Sequence, residues 1–384
     1  MEIHVVSRAG HAVPERATAP RGLVARLARR FDRRAMRLEK HAQQLLAQMG
    51  VAEKIGQLVI PIIFPANADE VRLSQEIRAL VAEHHIGGYF ICAAGASAEQ
   101  VRAFTEDLQA AARIPLILAS DFEGGDWNFL RSAVGPRPWP AAIAAMGDAK
   151  VAYYKGVVDA ELLQALGVNV NFAPSVDVLT NPDSPVLANR TFGTSPEVVA
   201  QLAAAYVDGL AASGVAGCLK HFPGLGAATV DPHVGLPHIM RTRDEITSVE
   251  LLPYRNLLRS GHAPMIMTTH ILMPTLDPHL PTSLSPVVID DLLRRVLGYD
   301  GVVISDSLAM GGVEERYSVA EAAVLAFEAG TDLLLGAPDF EQTRASIAAL
   351  HAALADGRVT QRQVDAAVLR VLRFKLGWRI IPPR

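Results

Sequence analysis

GVVISDSLAMGGVEERYSVAEAAVLAFEAGTDLLLG (301–336) holds one complete structural unit. GVVISDS (301–307) and TDLLLG (331–336) have the composition of buried strands and bracket a segment of helical period. Within that segment Ser318-Val319-Ala320-Glu321 fits a capping box, in which the serine hydroxyl and the glutamate satisfy orphan amides reciprocally. Gly330 in EAGTD then supplies the left-handed residue that ends a helix.

The same alternation runs back to residue 55. The earlier strand candidates are IGQLVIPIIF (55–64), GGYFIC (87–92), PLILASD (115–121), NVNFAPSVDV (169–178), AGCLKHF (216–222) and APMIMTTH (263–270). Further capping boxes stand at Ser97-Ala98-Glu99-Gln100 and Thr360-Gln361-Arg362-Gln363, and Ser285 before Pro286 adds an N-cap followed by an N1 proline. Eight strands is the number that closes a (β/α)8 TIM-type barrel, whereas a doubly wound open sheet uses the same units without that count. The pattern predicts one barrel over residues 44–384 after a basic N-terminal extension at 1–43, with RGLVARLARRFDRRAMRLEKHAQQL (21–45) in helical period.

Composition narrows the function classes. The 384 residues are 50% hydrophobic and 20% charged, which excludes long disordered, collagen-like and coiled-coil chains. The net charge of −4 is too balanced for a nucleic-acid surface over the whole chain, but it divides into +6 for residues 1–40 and −10 for the remainder. The extension lacks a signal-peptide-like apolar run and no stretch suits a membrane span, so a cytoplasmic protein is expected. Cys92 and Cys218 sit in apolar runs and read as buried free thiols. Neither a metal, nor an organic cofactor, nor an obligate protein partner is implied.

In such a barrel the reactive groups lie at the C-terminal ends of strands. Asp121, Asp177, Lys220, His221, His270 and Asp306 end candidate strands, and Arg190 follows the fourth. Ionisable groups after apolar runs are costly unless paired or functional, so their convergence favours a site. In the loop KHFPGLGAATVDPHVGLPHI (220–239), Asp231 stands two residues before His233. That spacing suits a carboxylate orienting an imidazole for acid/base work, or simply a turn in which Asp231 caps the backbone. Asp306 could be a helix cap, a metal ligand or the carboxylate nucleophile of a retaining glycosidase.

Together, DFEGG (121–125), LGVNVNFAPSVDV (166–178), NPDSPVLANRTFG (181–193), KHFPGLG with DPH (220–233), HILMPTLDPHLPTSLS (270–285) and GVVISDSLAM (301–310) resemble family 3 of the glycoside hydrolases, in its bacterial β-N-acetylhexosaminidase branch. The resemblance spans residues 44–378. It implies Asp306 as nucleophile, His233 oriented by Asp231 as acid/base, and Asp121, Arg190, Lys220 and His221 as binders of the sugar hydroxyls. The implied substrate is terminal β-linked N-acetylglucosamine, from muropeptide fragments, in a bacterial cytoplasm. The chain departs from the family pattern at Leu225, where a histidine is usual, and at Pro232, where serine is usual. It departs further at Asp126-Trp127-Asn128-Phe129, which replaces Arg-Val-x-Arg. Those changes keep two alternatives open: the same fold acting on another β-glycoside or as a phosphorylase, and a non-catalytic barrel that binds glycans or a protein.

Overall fold

The computed structural model describes residues 35–382. From Ala42 onward they form one compact unit. Its strands are β1 (Val59–Ile60), β2 (Gly88–Phe90), β3 (Ile117–Ser120), β4 (Phe122–Gly124), β5 (Trp127–Asn128), β6 (Val170–Asn171), β7 (Ala216–Gly217), β8 (Leu219–Phe222), β9 (Met265–Thr268), β10 (Val302–Ile304) and β11 (Leu334–Leu335). Every pairing is parallel except the β4–β5 hairpin. Helices separate the parallel strands, except β7 and β8, which makes a TIM-barrel-like α/β fold.

The expected single closed sheet is replaced by segments ordered β2-β3-β6-β7, β8-β9-β10 and β1-β11. Individual contacts link them: Gly87 N donates to Val59 O at 3.0 Å, Ser175 bridges Lys220, and Leu333 N donates to Val303 O at 3.0 Å. Proline explains part of the fragmentation, because it has no N–H to give a ladder. IGQLVIPIIF begins as the end of the helix Val51–Gly56, and pairing ends at Ile60, just before Pro61. In NVNFAPSVDV the regular pairing stops at Asn171, three residues before Pro174, and resumes only at the Ser175 bridge. AGCLKHF is split at Cys218.

Local signals hold better than strand lengths. The capping boxes at Ser97, Ser318 and Thr360 are all formed. Ser285 Oγ accepts from Val288 N at 3.3 Å, capping a helix that starts at Pro286. Ile60, Phe90, Ile117, Val170, Met265, Val302 and Leu335 fill the space inside the strands, so the sheet encloses a packed core. Cys218 is buried in that core and Cys92 is half-buried beside it; both are free thiols. The basic extension lies outside the described residues up to residue 34; residues 35–47 are helical. Among the described residues no helix is long and apolar enough to cross a membrane.

Candidate active site

At the C-terminal ends of β3 and β8 four charged side chains interlock. Lys220, on β8, bonds Asp121 Oδ1 and also Glu123 Oε1, the latter at 2.7 Å. Arg190 grips Glu123 with two parallel bonds, Nη2 to Oε1 at 2.7 Å and Nε to Oε2 at 2.9 Å. Two cations and two carboxylates balance, and Glu123, Lys220 and Arg190 are almost fully buried. Burial alone would raise Glu123 and lower Lys220, but their partners outweigh it: Glu123 is held far below, and Lys220 above, its ordinary value. Glu123, Lys220 and Arg190 thus stay ionised, while burial, only partly offset by Lys220, raises Asp121 above its ordinary carboxylate value; in this dry setting charge-assisted hydrogen bonds to a neutral ligand are strong.

Beside it, His221 is aimed by Asp177, which is wholly buried. Asp177 Oδ2 accepts from His221 Nδ1 at 2.6 Å and from Ser175 Oγ at 2.9 Å, while Oδ1 accepts from Leu225 N at 2.7 Å. The same carboxylate therefore orients the ring and fixes where the following loop departs. With Nδ1 donating, His221 Nε2 is left to accept from Arg190 Nη2 at 3.5 Å.

Asp306 follows β10, and its Oδ1 accepts from Ser307 N at 2.8 Å. Burial would raise its pKa, but His221, His270, His233 and Lys220 draw it below the ordinary carboxylate value, so it is ionised. His270 secures the next residue: its Nε2 donates to Ser307 O at 2.9 Å and its Nδ1 accepts from Ser283 Oγ at 2.6 Å.

The loop after β8 carries the last pair. Asp231 Oδ1 accepts from His233 Nδ1 at 2.6 Å and from His233 N at 2.9 Å. The carboxylate therefore closes a turn and also orients the imidazole. Asp121, Arg190, Lys220, His221, His233 and Asp306 all line one cavity of about 330 Å³. Its other wall is apolar, formed by Phe64, Phe90, Phe129 and Met267 among others.

The glycosyl hydrolase family 3 N-terminal domain matches residues 50–374. The chain belongs to that family. A β-hexosaminidase A from Pseudoalteromonas piscicida is 33% identical over 79% of this chain and 55% of its own length. A β-hexosaminidase from Alkalilimnicola ehrlichii is 36% identical over 69% of the chain and 77% of its own. A family 3 β-N-acetylglucosaminidase from Paenibacillus sp. FPU-7 superposes with a TM-score of 0.83 at 37% identity, over 88% of this chain and 64% of that one. The chain thus spans between about half and two thirds of the first and last of these relatives.

Against the family 3 pattern, Phe129 stands where the second arginine is usual and packs on Phe64 and Phe90 with ring centroids 5.5 Å away in each case. Arg131 does not take over. It is 57% exposed, pairs with Asp126 at 3.3 Å and does not line the cavity. Leu225 is buried at the loop's start. Sequence reading did not single out Glu123, although DFEGG carries it; that a carboxylate two residues after Asp121 joins the same cluster becomes visible only once β4 folds back on β5. Nor did it single out Trp127, whose position depends on that hairpin.

Proposed function

We propose that the chain is a retaining glycosidase that removes terminal β-linked N-acetylglucosamine, with catalysis at the mouth of a (β/α)8 barrel. The observation that carries this reading is that an ionised, half-buried Asp306 and an imidazole held by its own carboxylate open onto one cavity with the charged cluster. Asp121, Arg190, Lys220 and His221 hold the sugar hydroxyls. Asp306 attacks the anomeric carbon as the bond to the leaving oxygen breaks, giving a covalent glycosyl-enzyme. His233 donates its Nε2 proton to that oxygen, while Asp231 keeps Nδ1–H in place and stabilises the imidazolium. In the second step neutral Nε2 takes a proton from water as the water oxygen attacks the anomeric carbon, and Asp306 leaves. Two displacements return the β configuration.

The names of the relatives support the sugar. The muropeptide source and a cytoplasmic setting rest on the resemblance to the bacterial branch. Assay on aryl β-N-acetylglucosaminide and aryl β-glucoside, beside an Asp306→Ala chain, tests the reading. Preference for the acetamido sugar and a loss of about 10³-fold or more in the variant are expected. Equal turnover of both glycosides, or full activity without Asp306, would overturn it.

A further inference from the structure

The Trp127 indole lies between two groups that the proposed mechanism needs. On one side the Arg190 Cζ sits 3.9 Å from a ring centroid of the indole. On the other lies the His233 imidazole, with ring centroids 5.4 Å apart and planes tilted by 34°. The indole is itself held firmly. Trp127 pairs with Gly124 across the β4–β5 hairpin, and two residues later Phe129 N donates to Asp121 O at 3.2 Å.

Asp231 can fix the tautomer and rotation of the imidazole but not its place over the barrel, because it rides on the same loop two residues away. The backbone at this point is tied by Gly311 N to His233 O at 3.3 Å and Gly312 N to Pro232 O at 3.0 Å. These bonds anchor the main chain near the Asp306 loop and leave the side chain to be seated by something else. Val230 and Val234, on either side of His233, are exposed. The Trp127 ring, on another element, meets the imidazole.

We propose that Trp127 is a positioning residue that seats the His233 imidazole beside the sugar-binding cluster by packing between it and Arg190. Arg190 is locked to Glu123, so the order Glu123, Arg190, Trp127, His233 ties the acid/base group to the charged cluster through packed side chains. Valine, usual at this place in the pattern quoted above, has no face to offer either neighbour. This inference rests on the reading of His233 as the acid/base group.

The test compares kcat/KM for two β-N-acetylglucosaminides, one with a good aryl leaving group and one with a basic alkyl leaving group, in the full chain and in Trp127→Ala, Trp127→Phe and His233→Ala. Proton donation matters most for the basic leaving group, and misplacement of a catalytic group by about 1 Å costs about 10²-fold. Trp127→Ala is expected to lose about 10²-fold on the alkyl glycoside and less than about 10-fold on the aryl one, with Trp127→Phe in between. Should Trp127→Ala fail to fold, Trp127→Phe carries the same comparison. A selective loss in His233→Ala with an equal loss on both substrates in the Trp127 variants would overturn the positioning role and leave the proposed function standing. No selectivity in His233→Ala would overturn the acid role itself, and this inference with it.

Discussion

Asp306 sits half-buried among groups that compete over its proton. Desolvation favours the neutral acid; the neighbouring His221, His270, His233 and Lys220 favour the carboxylate, and the carboxylate wins. A group whose folded pKa is lowered stays ionised as pH falls past its ordinary value, so Asp306 should remain a carboxylate below about pH 3.9. Replacing His221 by Asn removes that neighbour. The acid limb of kcat/KM on an aryl substrate is then expected to move to higher pH, and an unmoved limb would contradict the assigned electrostatics. Arg131 gives the complementary case. Exposed, paired with Asp126 and away from the cavity, it should be replaceable by Ala with unchanged kcat/KM and less than about 1 kcal/mol of stability lost. The charged residues were legible because strand ends and the loop after β8 announce themselves in sequence. Phe129 was legible only as a departure, since its packing on Phe64 and Phe90 joins three separate segments.

At the scale of elements, the loop after β8 is pinned where its glycines fall. A Cβ on Gly226 would lie 1.7 Å from Val178 O, and Gly226 O accepts from Asn181 N at 2.9 Å. Gly226 therefore serves close backbone approach. Gly226→Ala should cost about 1 to 3 kcal/mol and weaken catalysis, measured by chemical denaturation alongside kcat. The helix Gln361–Gly377 hides another conflict. Lys375 is fully buried, donates to Gln57 Oε1 at 2.7 Å, and is pushed down to about 7 by burial. The unfolded lysine keeps its proton to about pH 10.4, so between about pH 7 and 10 the unfolded chain binds more protons and stability should rise with pH. Lys375→Met should flatten that rise in thermal melts; an unchanged slope would show that Lys375 does not titrate there. Helix caps were readable because each is complete within four residues. Strand lengths were not, because pairing depends on distant partners and on prolines that interrupt the ladder.

For the whole molecule, the charge asymmetry separates a basic start from an acidic body. A chain beginning at residue 35 loses eight of the nine arginines among residues 1–40 yet keeps the compact unit that holds every site residue. Its kcat/KM is expected to match that of the full chain. The barrel-like order of strands was legible because eight βα units repeat along the sequence; the segmented pairing was not, since it is a property of the assembled sheet. What joins the scales is one claim, that this fold delivers the ionised Asp306 carboxylate to an anomeric carbon. Incubation with a fluorinated β-N-acetylglucosaminyl substrate whose second step is slow, followed by digestion and mass spectrometry, tests it directly. The account predicts one sugar attached to the peptide containing Asp306, and attached through Asp306. A label on another residue, or rapid turnover to the inverted anomer with no labelled peptide, would contradict it.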